Sequence, residues 1–311
     1  MKAAILKQCR ELFPEWRNLG EADFSLADPK GFSSFTMGIR ALATVEPEAV
    51  FYRRLAGKEN AILDFDTERE VFLALGAAGI AAHCHHYDDH CRIEAFYPGR
   101  TLEAAELFET ENLRRIAGEL HRLHRLKPAG LPERSFWDLS HEKWGRLARR
   151  VLEEKVDHFP PNEQAMCEEL REIFSPATLA KVKRCLPAGP LLFCHNDTYH
   201  GNIMKLDTGE IKLLDFEFSC LNHRAYDFSN LFAETVMRHK QPDYPFFRIA
   251  EPEFGDEELG ALIGCYLEHE DFETESERTR AFDKLLGETK DLLLLSDYKY
   301  ALAAIPLSTA P

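Results

Sequence analysis

Basic residues are in short supply: 38 Lys and Arg stand against 53 Asp and Glu, leaving a net charge of −15. Phosphate backbones are bound by clustered cationic surface, so no nucleic-acid partner is expected. Long apolar runs are missing as well. No stretch approaches the roughly 20 residues of a membrane span, and the opening MKAAILKQCRELFPEW is broken by charge before a signal-peptide core can form. A soluble, cytoplasmic chain is the expectation. The eight cysteines lack the dense, short-spaced framework of a secreted domain, which argues for reduced thiols. What the chain has in quantity is apolar residues, 45% of 311, enough for a large core divided between two lobes.

One run is rich in metal-ligand types: His83, Cys84, His85, His86, Asp88, Asp89, His90 and Cys91. Zinc motifs pair their ligands at fixed spacing across a knuckle, and this run does not repeat. It reads as a β-hairpin turning at 87–90, whose alternation would spread these side chains over both faces.

The stretch LLFCHNDTYHGNIMKLDTGEIKLLDFE, residues 191–217, organises the rest. An apolar strand ends abruptly in His195-Asn196-Asp197, a polar loop delivers Asn202, and a second apolar strand ends in Asp215-Phe216-Glu217. Two strand ends therefore present two carboxylates and an amide together. Magnesium-assisted phosphoryl transfer uses such a set, because oxygen ligands hold the hard cation while a separate Asp meets the attacking hydroxyl. An Asp, an Asn five residues on and a D-F-E tripeptide resemble the catalytic loop and metal-binding tripeptide of kinases. In that pattern Asp197 is the base, and Asn202 and Asp215 are metal ligands with Glu217 in reach. His195 is placed beside Asp197 as a brace of the loop, and Cys194 as buried filler.

Continuing through DFEFSCLNHRAYDFSNLFAE and YPFFR, the blocks from Leu192 to Arg248 resemble the choline/ethanolamine kinase family, within the wider aminoglycoside-phosphotransferase-like kinases. The likeness is weaker, but in the same order, from Gly31 to Lys127. It implies a protein-kinase-like α+β fold with a small N-terminal lobe at 1–97, an antiparallel sheet plus a helix. A larger, mainly helical lobe at 98–311 would carry catalysis and substrate, with ATP and Mg²⁺ as cofactors.

Local patterns fill in the first lobe. A helix is expected over 3–19 and a hairpin whose arms flank Pro29-Lys30-Gly31. Gly31 with Ser33 and Ser34 can offer donors to phosphate. The strand in 50–57 carries Arg53 and Arg54; the resemblance gives the basic residue on the nucleotide phosphates to Arg54, with Arg53 as the alternative because the parity of the strand is open. The helix over 66–78 offers Glu68 or Glu70 as that residue's partner, Glu68 fitting the family place better. Main-chain groups of Glu94 and Phe96 would hold adenine just before the break at Pro98-Gly99.

In the second lobe, helices are expected across 113–124, 136–156 and 163–184, the last interrupted near Ser175-Pro176. His124 falls in an apolar stripe and is assigned no chemistry. Asp227 resembles a loop-bracing aspartate, which its place at a helix start also explains as a cap. By resemblance Glu234 faces the cationic nitrogen of the substrate, with Tyr244 and Tyr300 near it. The family follows this glutamate with an aromatic and carries a tryptophan pair later; here Thr235, Tyr300 and Ala303 stand there, so an aromatic cage for a quaternary ammonium is thinned. Choline or ethanolamine is the leading substrate. The alternatives are another small molecule such as an aminoglycoside or thiamine, or a nucleotide-binding regulator without turnover. The sequence does not give the oligomeric state.

Overall fold

The computed structural model describes residues 1–27, 35–55, 65–127, 134–154, 157, 160–239, 241–243 and 247–308. The chain divides into two compact units, one formed by Met1–Asn60 and Phe72–Pro98, the other by Ala61–Val71 and Gly99–Pro311. Among the described residues no helix is long and apolar enough to cross a membrane.

The first unit opens with helix α1 (Lys2–Leu12) and continues into strands β1 (Phe24–Leu26), β2 (Thr36–Ala41) and β3 (Ala49–Arg54). Helix α2 (Phe65–Ala77) follows, and β4 (Cys84–Tyr87) and β5 (Cys91–Ala95) complete an antiparallel sheet in the order β1-β2-β3-β5-β4. The expected first helix is shorter than 3–19. Pro14 lacks an N–H and drives the preceding Phe13 to extended φ −103°, ψ 111°, so α1 stops and a 3₁₀ turn, Pro14–Trp16, takes over. Trp16 still reaches the core, fully buried, with its indole N–H on the carbonyl of Pro47 at 2.8 Å.

That core settles the parity of β3. Val50 and Tyr52 lie under α1 with Ile5, Leu6, Cys9, Ile39 and Ile93, so by the two-residue pleat Arg54 falls on the α1 side, beyond Tyr52. Arg54 is exposed there, over the ring of Phe35 at 5.1 Å. Arg53 is on the opposite face, paired in register with Arg92, whose guanidinium lies 3.6 Å from the ring centre of Phe72 in α2. Arg53 and Arg54 thus lie on opposite faces of β3, Arg53 on the face that carries Arg92 and Phe72.

The His-rich hairpin also departs from simple alternation. A bulge between Cys84 and His86 shifts the register, and ligand atoms of His86, Asp88 and Cys91 come within 4.8 Å of one another. A turn network accounts for them. One oxygen of Asp88 accepts the N–H groups of His90 and Cys91, both at 2.8 Å, and the other meets Nε2 of His86 at 2.8 Å. Burial alone would raise the Asp88 pKa; these donors outweigh it and bring it down to about 2.

In the second unit, β6 (Gly99–Thr101) precedes α3 (Thr110–His124), and a π-helical turn, Asp138–Trp144, leads into α4 (Gly145–Glu154). Next come α5 (Pro161–Ile173) and α6 (Pro176–Lys183), separated at the expected break, where the Ser175 hydroxyl caps α6. Strands β7 (Leu192–Cys194), β8 (Ile203–Leu206), β9 (Ile211–Leu213) and β10 (Cys220–Asn222) then form two small sheets, β6-β8-β9 and β7-β10. Helix α7 (Ala225–Ala233), the short pair β11 (Met237–His239) and β12 (Phe247–Ile249), α8 (Asp256–Leu267) and α9 (Glu275–Ser308) finish the unit. Helix α7 is the centre of the helical core, buried from Ala225 to Leu231, and its Ser229 hydroxyl donates to the carbonyl of Thr289 in α9 at 2.6 Å.

His141 in the π turn is 1% exposed and stacked on Trp137, with 4.0 Å between ring centres. Burial holds its pKa down at about 3 against an ordinary 6.5. A neutral buried imidazole favours the folded state less as acid protonates the unfolded chain, so its contribution is complete above 6.5 and falls away toward 3. Between neutrality and about pH 5 the protein should lose at most about 2 kcal/mol from this group. Denaturant midpoints at the two pH values, compared with His141→Phe, check it: the substitution should flatten the difference.

Candidate active site

Strand β7 carries the chain into His195-Asn196-Asp197 and β9 carries it into Asp215. At both strand ends a non-glycine residue takes positive φ, Asn196 at 66° and Asp215 at 63°. Such backbone is retained where surrounding bonds over-determine it. Asn196 shows how. Its N–H donates to Asp227 Oδ1 at 2.7 Å, its amide donates to the Phe218 carbonyl at 3.0 Å, and its Oδ1 accepts from Asn222 at 2.7 Å.

Asp227 is the centre of this bracing. Fully buried at the start of α7, it accepts the His195 N–H at 2.8 Å and His124 Nε2 at 3.0 Å on Oδ2. Burial pushes its pKa up, but the His124 hydrogen bond and neighbouring charge outweigh that and lower it. The aspartate thus ties the loop and does not cap its helix. His124, set aside in the sequence as a core residue, is its partner; Nδ1 of the same ring meets the Tyr266 hydroxyl at 3.0 Å. His195 has both ring nitrogens engaged, Nε2 with the Leu214 carbonyl at 2.8 Å and Nδ1 with the Asp197 N–H at 3.3 Å. That leaves it a brace without a free nitrogen for proton transfer.

Asp197 and Asn202 come together through the expected loop. Asn202 Nδ2 donates to the Asp197 carbonyl at 3.0 Å and to its Oδ2 at 3.1 Å. Those bonds occupy the amide nitrogen, and the main-chain oxygen of Asn202 accepts the Leu214 N–H at 2.8 Å, so the side-chain Oδ1 is the atom left to offer a cation. Gly201 is required between them, because an added Cβ would overlap the ring of Tyr199. Tyr199 in turn reports the local field: burial first, then the carboxylates of Asp197, Asp215, Glu234 and Glu217, raise its hydroxyl pKa.

A family model described as choline/ethanolamine kinase matches residues 33–310. The chain belongs to the choline/ethanolamine kinase family. It is 29% identical over 235 residues to a probable ethanolamine kinase of Arabidopsis thaliana, covering 74% of this chain and 61% of the relative. A Homo sapiens choline/ethanolamine kinase is 26% identical over 271 residues, 84% of this chain and 66% of the relative. The chain thus spans somewhat under two thirds of the length of the relatives it matches. A crystal structure of a Cryptosporidium parvum choline kinase superposes with TM-score 0.79 at 20% identity, covering 99% of this chain and 90% of that one. The fold is the protein-kinase-like α+β fold.

Glu234 is 2% exposed, at the end of α7. Thr235 is turned inward, its hydroxyl on the Phe232 carbonyl at 2.6 Å. The Tyr300 hydroxyl lies 3.2 Å from Asp197 Oδ1, and burial, with Asp197 and Glu234 next, raises its pKa far above the ordinary value. Lys299, which the sequence reading passed over, is 2% exposed and places its ammonium 2.9 Å from Asp197 Oδ1 and 4.0 Å from the centre of the Tyr300 ring. Its signal was a single cation in an inward stripe of α9, legible only with the helix rotation known.

Of the residues that the sequence resemblance gives to the nucleotide, Glu94 holds Arg92 Nε at 2.6 Å, and Phe96 lies over Gly38, where an added Cβ would come within 3.1 Å of the ring. Glu68 is buried and Glu70 exposed, which separates the two candidates on α2. Gly31, Ser33, Ser34 and Tyr244 lie outside the described residues, as does the side chain of Ala303.

Proposed function

We propose that this chain transfers the γ-phosphoryl group of ATP to the hydroxyl of a small cationic amino alcohol, ethanolamine ahead of choline. The observation that carries the reading is the Asp197–Asn202 pair beside Asp215. The acceptor oxygen attacks the γ-phosphorus, the bond to the leaving ADP breaks, and the hydroxyl proton passes to Asp197. The residues present suit magnesium: Asn202 Oδ1 and the carboxylates of Asp215 and Glu217 are hard oxygen donors on two segments joined by the Leu214 N–H on the main-chain oxygen of Asn202 at 2.8 Å. Bound there, the cation would neutralise phosphate charge.

Residues 1–97 supply the nucleotide side of this reading. Arg53, in place of Arg54, serves the phosphates, main-chain groups of Glu94 and Phe96 hold adenine, and Gly31, Ser33 and Ser34 cover the phosphates. Residues 98–311 supply the acceptor side. There Glu234 pairs with the substrate nitrogen, with Tyr300 and Tyr244 beside it. Ethanolamine is placed ahead of choline because Tyr300 already turns its ring to the Lys299 ammonium and Thr235 adds no ring. A trimethylammonium depends on ring faces, whereas a primary ammonium donates hydrogen bonds to a carboxylate.

Glu234→Gln tests the acceptor assignment. The KM for ethanolamine should rise about tenfold while the KM for ATP stays within about twofold, since the change removes substrate charge pairing and leaves the phosphate site alone. Equal increases in both constants would count against it.

A further inference from the structure

Lys299 is the buried cation of the acceptor site. Its ammonium has three donors and meets three acceptors: the Asn196 carbonyl at 3.2 Å, Asp197 Oδ1 at 2.9 Å and Asn230 Oδ1 at 3.1 Å. The Ser296 hydroxyl, one turn earlier on α9, donates to the same Asn230 oxygen at 2.8 Å, and the Asn230 amide donates to the Thr198 carbonyl at 2.8 Å. One side chain on α9 is thereby fastened to the loop that carries Asp197 and to α7. An ammonium at 2% exposure is stable there only because each of its protons has a partner.

The two oxygens of Asp197 are divided by these contacts. Oδ1 receives Lys299 and the Tyr300 hydroxyl, while among the described residues Oδ2 receives the Asn202 amide. A fixed cation on Oδ1 holds the carboxylate in one orientation and leaves Oδ2 to face an acceptor hydroxyl.

We propose that Lys299 is a positioning residue for phosphoryl transfer, holding Asp197 by Oδ1 so that Oδ2 meets the substrate hydroxyl. The inference rests on the reading of Asp197 given under the proposed function. It makes α9 part of the catalytic arrangement, with a role distinct from that of Tyr300 toward the substrate.

A double-mutant cycle of Lys299→Met with Asp197→Asn tests it, read as kcat and KM for ethanolamine and ATP, with Tm recorded for every variant. Lys299→Met should lower kcat on the order of tenfold or more with both KM values within about twofold, because orientation acts in the transition state. In the Asp197→Asn background the same substitution should change kcat by less than about twofold, since it acts through the group already removed. Equal factors in both backgrounds, or wild-type kcat in Lys299→Met, would overturn the proposal. If Lys299→Met does not fold, Lys299→Gln, which retains a donor without the charge, is put through the same cycle with the same expectations. Asp197→Asn retaining full turnover would instead remove the reading of Asp197, so the two failures are told apart.

Discussion

Asp197→Asn should abolish nearly all phosphoryl transfer while nucleotide binding persists. The substitution keeps the shape of the side chain and changes what it can do. An asparagine oxygen at Oδ1 can still accept from Lys299 and Tyr300, but the other position becomes an amide nitrogen facing the Asn202 amide, where Oδ2 now accepts at 3.1 Å. Two donors then oppose each other and no basic oxygen faces the acceptor. Loss of a positioned general base typically costs about 10²–10⁴ in rate. Single-turnover transfer from labelled ATP, beside a fluorescent-nucleotide titration, separates the two effects. Near-wild-type transfer would show that Asp197 is not the group that meets the hydroxyl.

The largest effect on stability is expected from Asp227→Ala. One carboxylate at 0% exposure accepts from the His195 N–H, the Asn196 N–H and His124. Its removal strands three buried donors, each worth about 1–3 kcal/mol when unsatisfied. Breaking a buried charged network by deleting one member costs about 3–5 kcal/mol, and the lower end of that range is enough to be plain in a denaturation curve. The same change frees Asn196 from the bond that helps hold its φ of 66°, so turnover should fall even in molecules that remain folded. Urea unfolding of the variant within about 1 kcal/mol of wild type would contradict this account of the loop, a loss that surface substitutions seldom exceed.

Much of the fold was written in local pattern. The alternation of β2 and β3, the apolar stripe of α3 and the abrupt polar ends of β7 and β9 are short-range signals, and the ordered blocks from Leu192 onward identified the family. Other features depended on what packs where. Arg53 and Arg54 are chemically alike neighbours, and only the burial of Val50 and Tyr52 beneath α1 decides which of them lies on the face that carries Arg92 and Phe72. The bulge in β4 regroups His86, Asp88 and Cys91 against the alternation that the residues suggest. Pro14 was visible, yet its effect was missed because the apolar spacing of Leu12, Phe13 and Trp16 continues through it.

The site shows the same division. Asp197 and Asn202 are close in sequence, and the geometry of one loop brings them together. Lys299 reaches Asp197 across 102 positions, from a helix whose inward side cannot be assigned without knowing its rotation. His124 reaches Asp227 across 103. Neither partner carries a motif of its own, and a lone Lys or His in an apolar stripe has no signature apart from the fold around it.

The central claim is alcohol-dependent transfer from ATP with ethanolamine ahead of choline, and steady-state kinetics with both alcohols at saturating Mg-ATP test it most directly. The account predicts release of ADP matched one to one by phosphorylated alcohol, with kcat/KM for ethanolamine at least equal to that for choline. A choline preference above about tenfold, about 1.4 kcal/mol, or ADP release that no amino alcohol accelerates, would contradict it.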